Sequence, residues 1–458
     1  MASLSPVSGS DAAILGVTVT VNEVGYAGFI TEDEIVVAIP KNADWQDIDV
    51  EITVSEGASI YPSVDEVSEW SSEQLFTVTS ANGENVSEYK LRLEKEEGDT
   101  FDSIVMITNN TAMNAFAENG YKTVGALYIR DDGGDDPIIS TEVLGGIKVI
   151  KTELEIQTDR LETIEMESLE SAGNIDVLAL SLQSVNLPSL KNVAGRFRIG
   201  NDDSGPLPDE HLLLEAVSLK SLESVGRSFK LFFCPNIKTL DITSLKSVGE
   251  DLYIGGLYDD LTAISSLVNV NGYVQIMCSA LKSLDGFCIE NIGEGLYIDL
   301  SGITSLAPLS VLKNVPYISL SNGPLVTSFE GLENISPTAI DISGLTAVTD
   351  LSGLPVSSTM EHLRLSGMSS LKSIEALSTL EAVGNLYLVD CPLVSDLSPL
   401  EGLNSVDNLT LSLMEGLEAL PQFKFSSIEK LVLSMMSALT DISGLTSLEE
   451  AGSVQINL

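Results

Sequence analysis

The sequence predicts a mostly β protein: an N-terminal antiparallel β-sandwich followed by a stacked-repeat solenoid built on a parallel β-sheet. Three observations carry that prediction. Short apolar-x-apolar cores begin at Phe229, Leu252, Val274, Leu296, Ile318, Ile340, Leu363, Leu386, Leu409, Leu431 and Val454, in steps of 22 or 23 residues. A fixed period in that range is the signature of a solenoid, where each repeat buries its apolar face only against its neighbours. Residues 11–97 obey a different rule, the period-two alternation of half-buried strands. Finally, 458 residues exceed one ordinary globular core.

Taken in order, residues 1–10 read as a flexible tether from which a secretion signal has been removed. In 11–97, Val17, Val19 and Val21 alternate with threonines, and Ile48, Val50, Ile52 and Val54 alternate with acids and Thr53. Phe76-Thr77-Val78-Thr79 and Tyr89-Lys90-Leu91-Arg92-Leu93 flank Asn82-Gly83, a strong hairpin-turn signal. Lys95-Glu96-Glu97-Gly98-Asp99 is the polar joint, residues 98–124 form a linker and N-terminal cap, and 125–458 form the solenoid. Its early rungs are less regular: Leu127, Leu154, Leu178 and Phe197 are separated by 27, 24 and 19 residues, with 32 more to Phe229. That longest step contains Asn201-Asp202-Asp203-Ser204-Gly205-Pro206-Leu207-Pro208-Asp209, a loop insertion.

The pattern Phe76-Thr77-Val78-Thr79-Ser80-Ala81-Asn82-Gly83 followed by Tyr89-Lys90-Leu91-Arg92-Leu93 resembles the immunoglobulin-like modules at the N-termini of Bacteroidota surface lipoproteins. There is no Cys–Trp–Cys arrangement, which excludes a true antibody-type domain. Downstream, turns such as Leu371-Lys372-Ser373-Ile374 and Leu439-Thr440-Asp441-Ile442 join strands such as Gly384-Asn385-Leu386-Tyr387-Leu388. Together they resemble bacterial surface leucine-rich repeats and the related receptor L domain. The asparagine ladder of the most regular repeats is intermittent, since Asn322 fits it and Gly256 and Gly344 do not. The segments between strands are therefore expected to be irregular turns and short 3-10 pieces. The resemblance implies an outer-membrane lipoprotein on the extracellular side, its lipidated cysteine trimmed away.

With 23 basic and 67 acidic side chains the net charge is −44, which excludes nucleic acid and anionic lipid surfaces as partners. No apolar run approaches the roughly 18 residues of a membrane span, so contact with a membrane is expected only through a lipid anchor. Cys234, Cys278, Cys288 and Cys391 make no zinc pattern and read as small buried hydrophobes, with a Cys278–Cys288 bridge left open. The two histidines, His211 and His362, lie far apart, and no hydrolase, metalloprotease, dinucleotide or P-loop motif is present. The chain is therefore read as not an enzyme, and no cofactor is expected. Calcium is the one candidate ion, at Asp131, Asp132, Asp135 and Asp136 or at Asn201-Asp202-Asp203, although an acidic chain places such clusters in solvated loops anyway.

In an apolar-x-apolar core the central and flanking residues point to the open face. Tyr253, Tyr273, Tyr297 and Tyr317 then alternate between two columns over about 15 Å of the concave face, given a rung spacing of about 4.8 Å. Phe232, Met277 and Lys230 lie close by. A second group comprises His362, Arg364 and Tyr387, with Asp341 before it. Tyrosine supplies rigid contact area plus a hydroxyl, suited to protein, peptide or sugar alike. The sequence thus points to a non-catalytic cell-surface binding or adhesion protein, accessory to nutrient uptake, capturing protein, peptide or glycan. The alternative is a structural subunit packed permanently on an outer-membrane uptake complex, with no free ligand of its own.

Overall fold

The computed structural model describes residues 9–200, 213–232 and 234–457. The Asn201-Asp202-Asp203 loop, His211 and most of the expected tether lie outside them. The described residues are mostly β, and the chain divides into two compact units, Met1–Lys220 and Ser221–Leu458.

The first unit opens with β1 (Ile14–Val21), β2 (Val24–Ala27), β3 (Phe29–Ile30), β4 (Glu34–Pro40), β5 (Ile48–Val54), β6 (Ser59–Tyr61), β7 (Gln74–Thr79) and β8 (Val86–Glu96). Strands β2 and β5 flank β1 antiparallel, and a second sheet runs β3-β4-β8-β7-β6. The turn between β7 and β8 holds Gly83 at φ 72°, the conformation that glycine adopts without strain. One pairing departs from the expected all-antiparallel pattern: β4 and β8 run parallel. Period-two alternation delivers Val19, Tyr26, Ile35, Val37, Phe76, Val78 and Leu91 to the buried side.

Residues 98–124 contain β9 (Thr100–Ile107) and the helix α1 (Asn110–Ala117). The first bonds on both sides, antiparallel to β2 and parallel to β10 (Thr123–Arg130), the first rung. The helix begins at Asn109, whose side chain accepts from the Ala112 N–H at 2.8 Å. Next comes β11 (Val149–Gln157), and the following rung corrects the sequence reading. The strand Ser171–Leu178 sets Ile175-Asp176-Val177 beside Leu154-Glu155-Ile156, not Leu178-Ala179-Leu180. The run Ile175-Asp176-Val177-Leu178-Ala179-Leu180 offers two apolar-x-apolar registers, and the parallel neighbours on both sides select the first.

In the second unit every expected core is a rung of one parallel ladder, from Phe229–Leu231 through Leu252–Gly256, Tyr273–Cys278, Gly295–Asp299, Tyr317–Ser321, Ala339–Ser343, Thr359–Ser366, Ala382–Val389, Ser405–Ser412 and Ser427–Ser434 to Glu450–Asn457. Short 3-10 pieces such as Ala307–Val311 and Glu375–Thr379 fill the connections. A recurrent aspartate starts these turns by accepting an N–H two residues on: Asp299 from Ser301, Asp350 from Ser352, Asp396 from Ser398 and Asp441 from Ser443, at 2.8–2.9 Å. Part of the acidic surplus therefore serves as turn chemistry. Lysines reach back one rung to acids, as in Lys246–Glu223 at 2.8 Å and Lys313–Glu290 at 2.6 Å. After the strands, Asn322 and Gly344 hold the same left-handed conformation at φ 55° and 71°, so glycine meets the demand that asparagine meets elsewhere.

All four cysteines are free, so the Cys278–Cys288 bridge left open by the sequence is not formed. Burial pushes the thiols of Cys234 and Cys278 up to about 12 and that of Cys391 up to about 11. Only Cys288, which is part-exposed, is expected to react with a thiol reagent in the native protein, and all four after denaturation. Stoichiometric labelling of Cys391 in the native state would refute this.

Candidate ligand-binding face

The parallel register of the second unit places open-face residues in columns. The column ahead of the cores carries Tyr273, Gly295, Tyr317, Ala339 and His362 on successive rungs. The middle column carries Lys230, Tyr253, Gln275, Tyr297, Ser319, Asp341, Arg364 and Tyr387. The two-column alternation of the four tyrosines is thus the geometry of the ladder.

Ring contacts divide them into two sets. Tyr297 lies 5.8 Å from Tyr273 and 5.2 Å from Tyr317, centroid to centroid and tilted. Tyr253 instead packs on Phe232 at 4.7 Å, with the Lys230 ammonium 5.6 Å from the Phe232 ring. Met277 is half exposed in the column beyond the cores. The residue that organises the first set is Gly295, which sequence reasoning missed. A Cβ there would stand 3.0 Å from Tyr317 Cδ1 and 3.3 Å from Tyr273 Cδ1 and Cε1. Both rings lean over this glycine and bury it, a close approach of the kind a glycine inside a strand signals.

Burial pushes the phenol of Tyr297 up, and Tyr317 and Tyr273 add to it. Burial likewise raises Tyr317 and Tyr253. Tyr273 is raised chiefly by the Glu294 carboxylate beside its hydroxyl. The four hydroxyls therefore stay protonated at neutral pH, each able to donate and accept.

In the second group His362 and Tyr387 are 5.5 Å apart and Arg364 reaches Asp341 at 3.8 Å. Burial holds the His362 imidazole below its usual range, against the pull of Asp341. Further along the face, Lys230 Nζ meets Asp251 at 2.8 Å, and Asp251 also accepts the Tyr273 N–H at 3.0 Å.

A charged network on the first unit also escaped sequence reasoning. Buried Asp176 takes Arg196 Nε and Arg198 Nε, each at 2.7 Å. On the adjoining rungs Arg130 bonds Glu155 at 2.5 Å with its guanidinium 5.4 Å from the Tyr128 ring. These pairs sit 20 to 25 positions apart, and the corrected register at Ile175 is what sets Asp176 beside Arg198. The acidic loop is internally engaged too. Burial alone would raise the Asp131 carboxyl, but bonds from Arg160 and from the N–H groups of Gly133 and Ile138 outweigh it and lower the pKa. Asp136 accepts the Thr111 N–H at 2.6 Å, and Asp132 accepts the Gly134 N–H at 2.7 Å. Among the described residues no group of three or more His, Cys, Asp or Glu side chains is arranged to hold a metal ion. Among them, too, no helix is long and apolar enough to cross a membrane.

No curated protein matches the chain. A solved structure titled "Crystal structure of TLR13-ssRNA13 complex" is 12% identical, with a TM-score of 0.20, and the alignment covers 80% of this chain and 62% of the other. The chain thus spans less than two thirds of that protein, and at this TM-score the likeness bears on neither fold nor ligand. Residues 16–92 match the family model described as "SGBP, N-terminal", a stretch that includes none of the rungs bearing the tyrosines.

Proposed function

We propose that this chain is a non-catalytic surface glycan-binding protein that takes its saccharide on the tyrosine-bearing face of the second unit. The observation that carries the reading is the cluster of Tyr273, Tyr297 and Tyr317 over Gly295, three protonated phenols with the Tyr297 ring in tilted contact with the other two on an open sheet face. Such rings stack on the apolar faces of sugars while their hydroxyls bond sugar hydroxyls. The match of residues 16–92 supports it, since the abbreviation denotes surface glycan-binding proteins. On this reading residues 11–97 are an immunoglobulin-like spacer near a lipid anchor in the outer membrane. The leucine-rich-repeat rungs carry the ligand face outward, beside components of a nutrient-uptake complex. No catalytic role, cofactor or calcium ion is part of the proposal.

Affinity gel electrophoresis against a panel of neutral polysaccharides, backed by a glycan array, tests it. We expect the wild type to be retarded by at least one polymer, and Tyr297→Ala to weaken that binding tenfold or more, about 1.4 kcal/mol. A blank on both formats, or a Tyr297→Ala variant that binds within about twofold of wild type, would end this reading.

One observation favours the alternative, a subunit packed on a partner. Leu413 and Met435 adopt φ 55° and 53° where the rungs before them place Asn322, Gly344, Gly367 and Asp390, and they are 37% and 64% exposed. Left-handed backbone and solvent-exposed apolar surface are both unfavourable in the free chain. Met435→Asn is expected to stabilise the isolated protein by about 1 kcal/mol, read as a higher midpoint in urea. A lower midpoint would show that Met435 already serves the fold of the free chain.

A further inference from the structure

Resting on the glycan reading, we infer that the ligand is an uncharged, extended polysaccharide lying across the strands, gripped in two segments separated along the ladder. The first segment is the Tyr273–Tyr297–Tyr317 cluster and the second is His362 with Tyr387. They belong to the same pair of adjacent columns, and the one rung between those of Tyr317 and His362 carries the short residues Ala339 and Asp341. Between the two sets of rings the one long side chain in these columns is Arg364, which reaches Asp341 on the rung before it at 3.8 Å.

The spacing suits a polymer. From the Tyr273 rung to the Tyr387 rung there are five steps, about 24 Å at a rung spacing of about 4.8 Å. A pyranose chain linked through opposite ends of its rings advances by a distance close to one rung per sugar, so a stretch of about six sugars would meet both segments. A peptide cannot bind here by adding a strand to a free sheet edge, because these rungs already bond a neighbour on each side.

Charge selects the class. Asp251 pairs with Lys230 at 2.8 Å and Asp341 with Arg364 at 3.8 Å, while Asp299 beyond the cores takes the neutral Asn322 amide at 2.7 Å and Glu294 stands beside the Tyr273 hydroxyl. The face thus presents ring faces and dipoles with two compensated ion pairs and a surplus of carboxylate, in keeping with the −44 of the whole chain. An anionic polysaccharide would meet the field of the surrounding surplus acid without a free cation to bind.

Isothermal titration with cello-, manno- and malto-oligosaccharides, from about two to about eight sugars, tests the inference, alongside Tyr387→Ala and an oligogalacturonide series as the charged counterpart. In at least one neutral series we expect affinity to rise tenfold or more between about three and about six sugars, as the second segment is engaged by an already tethered chain. Tyr387→Ala should remove that rise. The oligogalacturonides should bind at least about tenfold more weakly than neutral chains of equal length. Affinity that levels off at about three sugars and ignores Tyr387→Ala overturns the two-segment reading while leaving glycan binding intact. A galacturonide preference overturns the neutral class. Failure of every series at every length removes the glycan reading itself.

Discussion

Gly293→Ala is expected to lower the melting temperature by about 6–12 °C, the equivalent of about 3 kcal/mol in a unit of this size. A Cβ on Gly293 would land on the carbonyl oxygen of Asn271 in the preceding rung, 2.7 Å from its carbonyl carbon and 3.2 Å from its Cα. All three atoms are backbone, so the conflict is relieved only by moving one rung against the next. The Gly293 N–H also donates to Val270 at 3.0 Å, a bond between those same rungs that such a shift would stretch. Gly402 supplies the control. A Cβ there would find Ser378 O at 3.6 Å and Leu380 O at 3.7 Å, ordinary contact distances, and Gly402→Ala should leave the midpoint almost unchanged. Thermal denaturation followed by circular dichroism reads both variants. Equal midpoints would mean that the rungs are looser than their register implies.

Two residues further on, Gly295→Leu should do the opposite: leave the fold and remove the ligand. The atoms a side chain would meet there are ring carbons of Tyr317 and Tyr273, not backbone. Rings can swing outward about χ1, and Gly295 sits in a regular strand whose backbone accepts any residue. The leucine therefore pries the cluster apart. Binding of the retarding polysaccharide is expected to fall at least about thirtyfold, in the range of a central interface residue, with a midpoint within a few degrees of wild type. Gly295→Ala should give an intermediate loss. A Gly295→Leu variant that folds and binds normally would show that the contacts of these rings with one another are irrelevant to the ligand.

The columns were legible in the sequence because side-chain alternation and a constant period suffice to place Tyr253, Tyr273, Tyr297 and Tyr317 on one face. Which rings touch was not legible. That depends on a residue with no side chain, Gly295, whose signal was only its position between two tyrosines one rung away on either side. The register at Ile175 was missed because a run of apolar residues satisfies two phases equally, and only the lateral neighbours break the tie. With it went the Asp176 network, since its arginines arrive from the next rung. The parallel pairing of β4 with β8 had no local mark at all, as period-two patterning is blind to strand direction. The capture of Asp131 by Arg160 spans 29 residues and was equally out of reach.

The period of 22 or 23 residues has a consequence for how such a face can change. Because each turn of chain adds one step to the ladder and returns to the same phase, a whole repeat can be inserted or excised without rotating any side chain off the face. The gap between the Tyr317 and His362 rungs can thus lengthen or shorten only in whole steps of about 4.8 Å. Selection acting on repeat number would tune the match to a polymer as a vernier is tuned, notch by notch, with no intermediate settings.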